Sequence, residues 1–241
     1  THLASDLTAT YPPLPRDIPT YTATPLPSET PTPRPTLDLT ATAGARATSE
    51  AAEILTFVGP ALEDLGYSTN NGQLAWYDLS ANEIEVSTSY SSIYDVVNPG
   101  GAYEDFILSV DVTWDSETGL AGCGIIFRAE EDIQRGRHAR FFAYRFSGLP
   151  AWTVYLYDFG EYRANLLGQV LTNAAIRLRS GSTNTFVLVA QGQSVTFYAN
   201  GLRLGGLTLP EGMERGGLGY FASQESGRTS CEFSNLWIWE L

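Results

Sequence analysis

The sequence predicts an all-β protein: a two-sheet antiparallel jelly-roll sandwich behind an extended Thr/Pro-rich N-terminal tail and a short linking helix. Two observations carry this expectation. From about residue 65 onward apolar residues recur with period two, in ten short segments separated by turn residues and uninterrupted by any helical pattern. The first fifty residues, by contrast, hold nine of the thirteen prolines and a dozen threonines, too little apolar surface for a core.

Residues 1–47 read as the tail. Pro fixes φ and removes donors, so this stretch favours a solvated polyproline II conformation. Ser/Thr-rich sequence with Pro is also the composition of O-glycosylated stalks. No Asn-x-Ser/Thr sequon occurs, so Thr22, Thr24, Thr30, Thr32, Thr36, Thr40 and Thr42 are the expected glycan carriers. Residues 48–64 form the expected linker helix, its pattern clearest over 48–57. Thr48 or Ser49 can cap it, Glu50 and Glu53 suit its first turn, and Pro60 limits its extent.

The sandwich is expected over 65–241, with strands at 83–89, 105–113, 122–128, 140–146, 152–158, 185–190, 194–199, 202–209, 216–221 and 231–239. Asn200-Gly201 is a strong two-residue hairpin signal. Roughly 185 residues suffice for one well-buried sandwich.

The net charge is −13 and all fourteen basic residues are Arg. An acidic surface repels phosphate backbones, so nucleic acid is an unsuitable partner. No apolar run is long enough to span a membrane. Cys123 and Cys231 are the only cysteines, each in a strand-like segment. In an extracellular or cell-surface protein they are expected to form a disulfide.

The chemistry-bearing residues are sparse. His138, placed in a charged loop with Arg135, Arg137 and Arg140, is the only histidine of the domain. It cannot supply a two-His metal site, and no nucleophile elbow accompanies it. No cofactor and no metal are expected; Asp115 and Glu117 have oxygen ligands of the kind calcium takes, but sit where a strand runs into a turn. Aromatics are more informative. Phe142, Tyr144 and Phe146 alternate on one strand and are expected to be core. Trp152, Tyr155, Tyr157 and Tyr162 are the candidate aromatic binding surface, since such rings stack on sugars and on proline. Trp237 and Trp239 alternate on the last strand and are expected inside.

Across residues 66–241 the order of segments resembles the concanavalin A-like, laminin-G-like domains of secreted bacterial proteins. The resemblance lies in DFILSVDVTW (105–114), GCGIIFR (122–128), RFFAYRFSG (140–148), VYLYDFGEYRANLL (154–167), NTFVLVAQGQSVTFYANG (184–201), GGLGYFA (216–222) and CEFSNLWIWEL (231–241). It implies a sandwich related to the 3-keto-disaccharide hydrolase and endoglucanase folds. Such endoglucanases place carboxylates on alternate residues of one strand. Glu83 and Glu85 follow that spacing, but Ser87 stands where a third would follow, so two solvated glutamates are the preferred reading.

Three roles follow. The favoured expectation is a non-enzymatic extracellular subunit that polymerises with other copies of itself. Tyr11, Pro12, Pro13, Leu14, Pro15, Ile18 and Tyr21 would dock on a neighbour, since ~45 residues of polyproline II reach ~140 Å, against a domain diameter of ~40 Å. The alternative is a stalk-borne carbohydrate-binding module of the cell surface, and the third role a glycoside hydrolase.

Overall fold

The structure, a computed structural model, describes residues 39–116 and 119–241, with side chains from residue 51 onward. The chain divides into two units between Ala45 and Arg46, and the second, Arg46–Leu241, holds both sheets. The docking residues Tyr11 to Tyr21, and Thr22, Thr24, Thr30, Thr32 and Thr36, lie outside the described residues.

Among the described residues, one helix, α1 (Leu39–Asp64), precedes fourteen strands. These are β1 (Gln73–Asp78), β2 (Asn82–Val86), β3 (Ser91–Val97), β4 (Phe106–Ser116), β5 (Ala121–Ala129), β6 (His138–Phe146) and β7 (Leu149–Asp158), followed by β8 (Glu161–Asn165), β9 (Leu171–Thr172), β10 (Ser182–Gln191), β11 (Ser194–Ala199), β12 (Leu202–Thr208), β13 (Gly217–Gln224) and β14 (Thr229–Glu240). The first sheet runs β1-β14-β4-β10-β11-β12, with β2 also on β14; the second runs β3-β13-β5-β6-β7-β8, with β9 on β7. Every pairing is antiparallel, which is the expected two-sheet jelly-roll sandwich. Asn200 and Gly201 both take positive φ, the geometry a two-residue turn between β11 and β12 requires.

Alternate residues of both sheets fill the space between them. Phe141 stacks on Phe197 at 5.2 Å, with Phe186 and Trp152 against the same cluster. Tyr220 stacks on Phe233 at 4.4 Å near the disulfide that joins Cys123 of β5 to Cys231 of β14. That bond therefore ties one sheet to the other.

The helix departs from the sequence expectation. It begins at Leu39, so Thr40 and Thr42 fall in it rather than in an extended tail, and it runs through Pro60. Proline inside a helix costs about 3 kcal/mol. Ile54, Val58 and Leu62 are buried against the outer face of the first sheet, and three such side chains contribute roughly 1.5–3 kcal/mol each. Packing outweighs the break.

Beneath α1 lie Trp237 and Trp239, with Ile107 and Val189. Both tryptophans are buried, but not in the inter-sheet core where alternation from Cys231 would place them. The register of β14 against β4 shifts between Ser234 and Trp237, with Asn235 at φ 51°. This irregularity inverts the alternation, so that Leu236 and Ile238 point inward and the tryptophans outward.

Candidate functional site

No described helix covers the outer face of the second sheet, which is built from the outward residues of six strands. On β6 these are His138, Arg140, Phe142 and Tyr144, while Ala139, Phe141 and Ala143 point into the core. The register sets Tyr157 opposite His138 and Tyr155 opposite Arg140 on β7, with Tyr162 of β8 opposite Tyr157. From the other side, Phe221 of β13 pairs with Tyr94 of β3 and with Gly124 of β5.

Two glycines make room for the rings. A Cβ on Gly124 would lie 2.3 Å from the Phe221 ring, and one on Gly122 would lie 2.4 Å from Tyr144 Cβ. Both occupy outward positions of β5, on either side of inward Cys123. With no side chain there, the neighbouring aromatics lie down over β5. Phe142 stacks on Tyr144 at 4.4 Å and meets Phe221 at 5.3 Å. Phe142 and Tyr144 are thus buried as expected, in a cluster on the outside of the sheet and not between the sheets, whereas Phe146, also expected in the core, is exposed.

Toward β8 the layer opens. Tyr162 is 54 % exposed and stands nearly perpendicular to Tyr155 and Tyr157, at 5.5 and 6.2 Å. Burial, then the neighbouring phenol of Tyr155, raise the Tyr144 hydroxyl above its ordinary range; burial likewise raises Tyr155. Of the four expected surface aromatics, the structure brings together Tyr155, Tyr157 and Tyr162. Trp152 is a correction. It shares its side of β7 with Val154 and Leu156 and is fully buried between the sheets.

Sequence reasoning missed the polar centre of this face. His138 opens β6 instead of sitting in a loop, and it is buried. Its ring stacks on Tyr157 at 5.5 Å and 3°. Arg140 donates its Nε–H to His138 Nε2 at 2.9 Å, so the other nitrogen, Nδ1, carries the proton and donates to the Gly136 carbonyl at 3.0 Å. Burial first, then the Arg140 charge, push the His138 pKa down to about 4. The Arg140 guanidinium lies 3.8 Å over Tyr157, with Phe221 and Tyr94 at 5.4 and 5.9 Å. A usable signal was the alternation His138, Arg140, Phe142, Tyr144 in one strand.

The opposite sheet carries the acidic candidates. Glu83 and Glu85 both point outward from β2. Ser230 donates to Glu83 at 2.5 Å, and Arg228 pairs with Glu85 at 2.9 Å and with Asp115 at 3.6 Å. They are surface carboxylates engaged by neighbours, as preferred from sequence. Glu117 lies outside the described residues, and among those described no cluster of three His, Cys, Asp or Glu could hold a metal. No described helix is long and apolar enough to cross a membrane.

No family model matches this sequence, and no curated protein matches it either. Among solved structures, carbohydrate binding module CBM66 from Bacillus subtilis superposes with a TM-score of 0.50 at 13 % identity, over 66 % of this chain and 92 % of that one. The likeness is one of fold. Bacillus licheniformis β-glucanase (TM-score 0.46, 13 % identity, 72 % and 84 % covered) and sheep galectin-11 (0.42, 8 %, 64 % and 99 %) are similar in the same sense.

Proposed function

We propose that this protein is an extracellular carbohydrate-binding module, and that the outer face of its second sheet is the binding surface. The observation that carries the reading is the open ring of Tyr162, set perpendicular to Tyr155 and to the Tyr157 ring on which Arg140 stacks. A pyranose presents axial C–H groups to such a ring while its hydroxyls reach the polar groups alongside. The name of the Bacillus subtilis neighbour, a carbohydrate binding module, supports the same reading. The inter-sheet disulfide supports an oxidising compartment.

Binding without cleavage is part of the proposal. Glu83 and Glu85 belong to the other sheet and are held by Ser230 and Arg228, and His138 is sealed beneath the aromatic layer. Assembly through the tail finds no support among the described residues, and we rank it below sugar binding.

The test is affinity electrophoresis and calorimetry against a panel of neutral and acidic polysaccharides. Tyr162→Ala removes an exposed ring at little cost to stability and should weaken binding by about 2- to 12-fold, corresponding to ~0.5–1.5 kcal/mol. No retention on any polysaccharide would overturn the reading. Cleavage of a bound polymer, abolished in the Glu83→Gln, Glu85→Gln double variant, would replace it with catalysis.

A further inference from the structure

We propose that the ligand of this face is an acidic sugar, and that the Arg140 guanidinium binds its carboxylate. The inference rests on the proposed sugar-binding role of the face and adds the chemical class of its ligand.

Arg140 is 7 % exposed, yet no carboxylate among the described residues pairs with it. Burial works against its charge, and what lies against it are the rings of Tyr157, Phe221 and Tyr94. In a chain with 27 acidic residues against 14 basic ones, a buried arginine lacking a counter-ion is unexpected, because burying a charge is costly unless it is paired.

The other buried arginine shows the contrast. Arg128 donates Nη1 to the Tyr103 carbonyl and Nη2 to that of Gly192, both at 2.8 Å, and lies within the field of Asp105, Glu104 and Glu214. It is spent on the fold. Arg140 commits only Nε, to neutral His138, and its two Nη groups have no protein partner among the described residues. Nor are they among the sealed unpartnered atoms, which are Trp114 Nε1, Arg128 Nε and Gln224 Oε1; they therefore reach solvent.

A fork of two coplanar N–H donors, held by ring stacking and by its Nε bond, suits a planar carboxylate in bidentate contact. Neutral hydroxyls would leave the charge uncompensated. The Tyr162 ring, 6.2 Å from the Tyr157 ring on which Arg140 stacks, supplies the apolar platform for the same sugar. The net charge of −13 opposes an acidic polymer at long range, but that field is screened beyond ~8 Å at physiological salt, and the contact forms well inside this distance.

The experiment uses the full chain with polygalacturonate, alginate and hyaluronan, each paired with its carboxyl-reduced, neutral counterpart, and with dextran sulfate and a panel of neutral polymers. We expect at least one acid form to bind, with a tenfold or greater loss on carboxyl reduction. We expect the same loss in Arg140→Met, which keeps the apolar stem. Comparison of acid and reduced polymers on the unaltered protein makes the test independent of whether that variant folds. Equal binding of acid and reduced forms, binding of neutral polymers alone, or equal binding of dextran sulfate overturns the carboxylate assignment and leaves sugar binding standing. Failure of every polymer overturns both.

Discussion

Arg140 donates its Nε–H to His138 Nε2 at 2.9 Å, and His138 donates its own Nδ1–H to the Gly136 carbonyl at 3.0 Å. The chain of two hydrogen bonds fixes one tautomer of a buried, neutral histidine and orients the cation above it.

A pH dependence follows. His138 has an ordinary pKa of 6.5 in the unfolded chain and one of about 4 in the fold, so the unfolded state takes up the proton first as pH falls. Stability present above pH ~6.5 is lost on descending toward pH 4, by up to about 3 kcal/mol from this group. His138→Gln keeps an acceptor for Arg140 but does not titrate. Urea denaturation at pH 7, 5.5 and 4 should show a shallower fall in the variant than in the unaltered protein, and equal slopes would refute the assignment.

The outward glycines of β5 should tolerate no side chain. Gly124→Ala places a Cβ 2.3 Å from the Phe141 carbonyl as well as the Phe221 ring, and we expect a loss of roughly 1–3 kcal/mol from the forced shift. Chemical denaturation measures it. A neutral result would mean that the aromatic layer does not rest on β5 as described.

How far this site was legible in the sequence turns on which face a residue meets. The alternation of Tyr155 and Tyr157 against Val154 and Leu156 was readable, because one side of β7 is apolar throughout. For β6 both sides are buried, so alternation separated Phe141 from Phe142 without telling inside from outside. Trp237 and Trp239 are interior as expected, but which side of the sheet they lie on was not readable, because a backbone irregularity at Asn235 leaves no reliable mark in composition. Three of the strands not anticipated were short or polar: β3 contains Ser91, Ser92 and Asp95, β8 five largely hydrophilic residues, and β9 only two residues. β1 (QLAWYD), more apolar than these, was also missed. Each takes its conformation from a long partner strand rather than from its own pattern. Pro60 was read as a stop because local propensity was weighed without the packing of Ile54, Val58 and Leu62.

That packing can be tested directly. Leu62→Ala should cost about 2–5 kcal/mol and shift the emission of Trp237 and Trp239 to longer wavelength as α1 loosens. An unchanged spectrum with unchanged stability would show that the helix does not roof the first sheet.

The disulfide gives a fourth stability measurement. Non-reducing peptide mapping should recover Cys123 linked to Cys231, and the double Cys→Ala variant should lose ~3–5 kcal/mol in equilibrium unfolding. Free thiols at both positions in native material would contradict the pairing.

The same bond has a mechanical consequence. Cys123 and Cys231 stand 108 residues apart, and everything between them is a closed loop that tension on the two chain ends cannot draw out. At about 3.3–3.6 Å per extended residue, some 360–390 Å of contour is withheld. A molecule drawn by its two chain ends would yield only the segments outside the loop, while β6 to β13, which carry most of the aromatic layer, remained looped off from the load.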